Sequence, residues 1–250
     1  MGKGPLLKIW MLFLLLPAFF GLAYLVLMPD ISQLKKKNPP KTAFMEYREK
    51  EWKEKGRRGE IRQVWVPLSQ ISPFLVKAVL IAEDDKFWSH EGFDYEGIMK
   101  AVERDLQAGR LKFGGSTITQ QLARNLYLSP GKSFWRKVRE ALITWRMERV
   151  LSKKRILELY LNAVEWGDGI FGAEAASRYY FGKPASELSP RDAARLAVVL
   201  PSPRKLNPAG SQRYVESQAE VIYGIMQKRG ILPPEFETGA DETGRESSSR

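Results

Sequence analysis

Between Ile9 and Met28 run 20 residues without a charge. As a helix they span about 30 Å, the thickness of a bilayer's hydrocarbon core, so the pattern predicts one N-terminal transmembrane helix. The run is longer than the apolar region of a signal peptide and no A-x-A-like site follows it. An uncleaved anchor over residues 1–30 is expected, with a cleaved signal as the alternative. Pro17 sits mid-span, where membrane helices tolerate it. Residues 31–60 then turn polar (KKKNPPK, later EYREKEWKEKGRRGE) and read as a stalk rather than a core element.

From Ile61 the run IRQVWVPL alternates like a short strand and opens the expected folded domain, residues 61–232. Ser72 and Pro73 have the types favoured at the N-cap and first position of a helix, here one through Leu75, Val79 and Ala82. Helical spacing predicts further helices over residues 95–108, 116–126, 133–151, 153–162, 172–180 and 189–200. In the longest, Val138, Leu142 and Trp145 recur at that spacing and are expected to face the core. The sequence shows no internal repeat, and the architecture is expected to be mostly α. Residues 233–250 hold little to bury and read as a disordered tail.

Composition narrows the chemistry. The 250 residues contain no cysteine, which excludes a thiol nucleophile and Cys-based zinc sites, and one histidine, His90, which excludes His-rich metal cages. The net charge is +11. Its place matters more than its size: between Lys100 and Arg155 stand 14 basic residues against four acidic ones. Such a block implies an anionic partner, whether a phospholipid surface, a phosphorylated substrate or nucleic acid, of which nucleic acid fits a membrane-tethered chain least. Lys3 and Lys8 before the span and Lys35 to Lys37 after it leave the topology open by charge alone.

Three features look placed for reaction. Glu83, Asp84 and Asp85 fall at the C-terminal end of the helix opened by Pro73, where the macrodipole disfavours anions. Mutual repulsion there is expected to raise the proton affinity of at least one, as a general base needs, and Glu83 is the candidate; a solvated acidic loop is the alternative. Glu140 lies in a helix beside Arg136, Lys137 and Arg139, and reads either as a second functional carboxylate or as a salt bridge. The turn Gly114–Gly115–Ser116–Thr117, feeding a helix with Gln120, Gln121 and Arg124, offers backbone N–H groups and hydroxyls to an anion, or is an ordinary capped helix. It lacks the Lys-Ser/Thr pair of a P-loop. Arg124, Lys132, Arg136 and Lys137 together could hold a pyrophosphate.

Five runs, in order, carry a resemblance. They are AEDDKFWSHEGFD (82–94), GGSTITQQLARN (114–125), RKVREA (136–141), KRILELYLN (154–162) and GAEAASRYYFGK (172–183). Over residues 61–208 the chain resembles the peptidoglycan glycosyltransferases in their monofunctional form. About 40 residues follow Pro208, too few for a transpeptidase domain.

The resemblance implies a lysozyme-like helical glycosyltransferase domain that polymerises lipid II into β-1,4 glycan strands. It implies that Glu83 deprotonates the acceptor 4-hydroxyl, which attacks the donor's anomeric carbon with inversion and releases polyprenyl pyrophosphate. Glu140 matches a second Glu that organises the pyrophosphate or a divalent cation, Mg or Mn; no cofactor is otherwise implied. Asp84, Ser116, Thr117, Gln120 and Gln121 are implied at the substrate, with Lys100, Arg124, Lys132, Arg136 and Lys137 as basic or motif-defining positions. Tyr160, Asn162 and residues 172–183 match positions that look structural. Arg124 stands where the family usually has Lys, while Lys100 and Lys132 stand where it has Arg, a difference in phosphate geometry rather than charge. The implied place is the bacterial inner (cytoplasmic) membrane, single-pass, with the N-terminus cytoplasmic and the catalytic domain periplasmic. Partners would be lipid II, the growing strand, membrane lipids and other cell wall synthesis proteins, not nucleic acid. Two other classes fit part of the pattern: a lysozyme-like enzyme that cleaves glycan with a single Glu, and a non-catalytic membrane-anchored scaffold.

Overall fold

The computed structural model describes residue 21 and residues 28–107, 115–131 and 133–233, and among these the chain is mostly helical. The predicted span over residues 9–28 lies outside the described residues apart from Gly21 and Met28, as do the tail from residue 234, Lys132 and Gly114. Among the described residues no helix is long and apolar enough to cross a membrane.

The helices are α1 (Ala43–Glu54), α2 (Pro73–Glu83), α3 (Tyr95–Gln107), α4 (Ile118–Tyr127), α5 (Phe134–Val150), α6 (Lys153–Ala163), α7 (Ala173–Phe181), α8 (Pro190–Val199) and α9 (Arg213–Lys228). Short strands β1 (Arg62–Gln63), β2 (Glu165–Gly167) and β3 (Ile170–Phe171) form one sheet in the order β1-β3-β2, with β1 parallel and β2 antiparallel to β3. Side-chain caps set the starts. Ser72 precedes Pro73 and accepts from Phe74 N–H, while Thr117 and Ser189 close capping boxes with Gln120 and Asp192.

Two packed groups make one core. The α2 stripe Leu75, Ala78 and Val79 is fully buried, and α2 packs on α8, which packs on α9. Helix α4 packs between α5 and α6. Asn162 ties this group to the sheet region: its side chain accepts from Val66 N–H at 3.0 Å and donates to Val66 O at 2.9 Å.

Three differences from the sequence reading stand out, and two of them share one cause. Residues 31–60, expected as a polar stalk, carry a short 3-10 turn with Ile31 and Leu34 buried, then α1 with Met45, Arg48 and Trp52 buried. Along α5 the buried positions are Glu140, Ile143, Thr144 and Met147, whereas Trp145 is exposed and lies under the Arg149 guanidinium at 4.2 Å. Val138 and Leu142 are only partly buried. Helix α9, absent from the sequence reading, buries Val215, Ala219, Ile222, Tyr223 and Met226. In α1 and α5 a charged side chain occupies a core-facing position, so a search for apolar periodicity lands on the wrong face or on none.

Candidate active site

Helix α2 ends at Glu83 because the Asp84 backbone turns away from helical geometry. Three adjacent carboxylates then diverge. Asp85 is held by a fork from Arg229, just beyond α9, at 2.5 and 2.9 Å, and that contact keeps its carboxyl below the ordinary range. Asp84 is buried: one oxygen accepts from Ile118 N–H at 2.9 Å, at the start of α4, and the other meets His90 Nε2 at 2.8 Å. His90 Nδ1 accepts from Gly92 N–H at 3.0 Å, so Nε2 carries the proton and donates to Asp84. The turn from Asp84 to Gly92 thereby fixes the end of α2 against the beginning of α4. Gly92 is required there, having φ +89° and leaving no room for a Cβ beside Thr144 and Glu148.

Glu83 itself points into the interior. Oε2 accepts from Gln121 Nε2 at 2.6 Å, while Oε1 is buried with no hydrogen-bond partner. Burial pushes the Glu83 carboxyl up; the Gln121 hydrogen bond and the Arg124 charge oppose it, and Asp84 adds a smaller upward push. Repulsion within the triplet was expected to raise it. Desolvation instead dominates, because Asp84 and Asp85 have partners of their own. Gln121 Oε1 in turn accepts from Tyr160 OH at 3.0 Å.

A groove of about 720 Å³ begins at this helix. Gln121, Arg124 and Asn125 of α4 and Arg136 of α5 line one part; Arg48, Arg57, Arg204 and Lys205 line another, with Glu165 and Asp168 as the acidic members. Glu140 is fully buried and accepts from Arg136 Nη1 at 3.0 Å and from Lys137 Nζ. Lys137 also reaches Ser116 Oγ at 3.4 Å. Arg136 Nε is buried without a partner. The site thus joins a raised carboxylate, through one glutamine, to a basic groove.

The structure brings together Glu83, Gln121, Arg124, Arg136, Lys137, Glu140 and Ser116. Asp84, Thr117 and Gln120, expected against substrate, are buried, and the side-chain oxygens of all three accept or donate hydrogen bonds within the protein. Thr117 caps α4 and donates to Gly92 O at 2.7 Å, and Gln120 Oε1 accepts from Thr117 N–H at 3.0 Å. Lys100 lies on α3 in an ion pair with Glu96 and is not among the groove-lining side chains. Sequence reasoning passed over Arg48, Arg57, Arg204 and Lys205. The only local signal for the last two was a dibasic pair in the proline-bracketed run Pro201–Ser202–Pro203 ahead of Asn207–Pro208.

Comparison with known proteins finds matches over most of the chain. The protein-family model described as Transglycosylase matches residues 50–227. A biosynthetic peptidoglycan transglycosylase of Nitrosospira multiformis is 49% identical over 194 residues, covering 78% of this chain and 84% of that protein. Proteins of the same name from Azoarcus sp. and Aromatoleum aromaticum are 52% and 57% identical, covering 78% and 67% of this chain and 84% and 73% of theirs.

Proposed function

This chain belongs to the biosynthetic peptidoglycan transglycosylases, glycosyltransferases of bacterial cell wall synthesis, and from that premise we propose that Glu83 is the base that activates the acceptor sugar. The observation that carries the assignment is the unpartnered, buried Oε1 of Glu83, whose other oxygen accepts from Gln121, a residue that lines the cation-rich groove. Substrates are lipid II and the growing glycan strand. The acceptor 4-hydroxyl gives its proton to Oε1 as its oxygen forms a bond to the donor's anomeric carbon from the face opposite the leaving group. The bond from that carbon to the diphosphate oxygen breaks with its electron pair, inverting the centre to a β-1,4 link, and Glu83 later returns its proton to water.

Arg124 and Arg136 of the groove, with Lys137 beside Ser116, meet the departing charge, and Lys132 is a further candidate outside the described residues. Glu140 aims Arg136 and Lys137 rather than touching the sugar. Asp84 and Thr117 are positioning residues. A divalent cation at the diphosphate finds little on the protein side, since both Glu140 oxygens already accept from cations. Among the described residues no group of three acidic or histidine side chains is placed to hold a metal ion. Arg124→Ala is expected to weaken turnover of lipid II by roughly 1.5 to 3 kcal/mol through a lost charged contact, read as kcat/KM. An unchanged value removes Arg124 from the site.

The lysozyme-like character of the fold, a single-pass anchor over residues 9–28 with the N-terminus cytoplasmic and a periplasmic catalytic domain, and contact with other wall-building proteins complete the proposal. They rest on the resemblance and on the uncharged run. Contact with membrane lipid has added support: Phe134 and Trp135, which open α5, are 73% and 76% exposed, and Trp88 is half exposed. The chain shortened to begin at Ile31 is expected to bind vesicles containing anionic phospholipid. Changing Phe134 and Trp135 to Ser should weaken that binding about a hundredfold, since burying each ring contributes roughly 1.5 kcal/mol; equal binding by both forms counts against the contact.

The reaction is tested by incubating the purified protein with lipid II and, separately, with preformed glycan. Lengthening from lipid II is the expected result, whereas shortening of preformed glycan would make it a glycan-cleaving enzyme. Neither change would leave a scaffold.

A further inference from the structure

The carboxamide of Gln121 has two ends of nearly equal size, so its orientation is chosen by its neighbours rather than by space. Three of them vote. Tyr160 OH donates to Oε1 at 3.0 Å, while Nε2 donates to Glu83 Oε2 at 2.6 Å and to the backbone oxygen of Ser116 at 3.3 Å. Tyr160 is fully buried on α6, and that burial pushes its phenol well above the ordinary tyrosine range, so it keeps its proton and remains a donor.

We propose that Tyr160 is a positioning residue that locks the Gln121 amide, so that Glu83 faces an N–H donor instead of a carbonyl oxygen. The inference rests on Glu83 acting as the base, and it moves Tyr160 from the structural role its motif suggests to one exerted on the reacting carboxylate. Without the hydroxyl, Oε1 of Gln121 is left unpaired in the interior, and the amide can turn over. An ionised carboxylate has only acceptor atoms, so the turned amide repels it; a protonated one can donate to the amide oxygen. Losing the phenol therefore favours the protonated form of Glu83. The charges acting on Glu83 remain in place, Arg124 on α4 and Asp84 beside it, and Arg136 and Lys137 of α5 stay paired with Glu140.

Tyr160→Phe keeps the ring and removes only the oxygen. On lipid II, the acidic limb of its kcat/KM profile is expected to move to higher pH by about half a unit or more, with the plateau changed less. Titration of the Glu83 carboxyl followed by NMR should move the same way. In a Gln121→Leu background, where there is no amide to orient, Tyr160→Phe should add no further shift. A Glu83 titration that does not move in Tyr160→Phe, or that moves as far in the Gln121→Leu background, overturns the lock. A shift of the titration without any shift of the kinetic limb keeps the lock and counts instead against Glu83 as base. Should Tyr160→Phe fold poorly, Gln121→Leu alone still reads the donor: its Glu83 titration must also lie above the parent's, and an unmoved value overturns the proposal.

Discussion

Glu83→Gln is expected to stop glycan polymerisation, lowering turnover of lipid II by roughly 100- to 10,000-fold, the range a positioned general base contributes. The variant should also be no less stable than the parent at neutral pH. Glu83 has a folded-state pKa above its unfolded value, because burial disfavours the anion. Below the ordinary carboxylate pKa, about 4.3, both states hold the proton and the group has no effect on stability. As pH rises through the interval between the unfolded and folded values, the unfolded chain releases its proton first, and stability falls. Above the folded value that loss is complete and constant. Glutamine does not titrate, so the two stability curves should meet in acid and separate towards neutrality, with the variant on top. Full-length polymer from Glu83→Gln would remove the base. Inactivity accompanied by a lower Tm at neutral pH would make the loss one of folding and leave the chemistry unassigned.

That stability inversion marks what the sequence could and could not disclose. Helix positions followed from apolar spacing and capping residues, and Glu83 from its place at the wrong end of a helix dipole. The reason for its raised proton affinity did not follow, since it is burial against elements distant in the chain, among them α4, whose Gln121 meets Glu83 across 38 positions. Contacts of that separation leave no local pattern. Asp84, Thr117 and Gln120 illustrate the same limit. Their types suit substrate binding, yet Asp84 and Thr117 use their side-chain oxygens to hold α4 against the turn after α2, and Gln120 Oε1 caps the start of α4. Tyr160 is the converse, a residue that reads as core and whose hydroxyl reaches the site through Gln121. Helix α5 was placed correctly but turned to the wrong face, because Glu140 lies on its buried side and a polarity scale counts it outside.

Arg48→Ala is expected to destabilise the protein by roughly 3 to 5 kcal/mol, the cost of leaving a buried partner charge unpaired. For a chain of this length that corresponds to a fall in Tm of roughly 6 to 20 °C. Arg48 sits between Met45 and Trp52 on the buried side of α1, where a stripe of three side chains has a cation in the middle. Its Nε and Nη2 donate to Glu165 at 2.9 and 2.6 Å, and both residues are about 5% exposed or less. Glu165 also accepts from Gly169 N–H at 3.3 Å, so the pair ties α1 to the bend between β2 and β3. Removing the guanidinium strands the Glu165 carboxylate, and Glu51 loses a partner as well. Replacing both partners with Met should cost much less than Arg48→Ala alone, because no charge is then left buried, although Glu51 and the Gly169 contact prevent full recovery. Thermal unfolding of the three proteins decides the matter. A Tm within about 2 °C of the parent for Arg48→Ala would make α1 an appendage after all, whereas the expected fall makes it part of the domain that builds one wall of the groove.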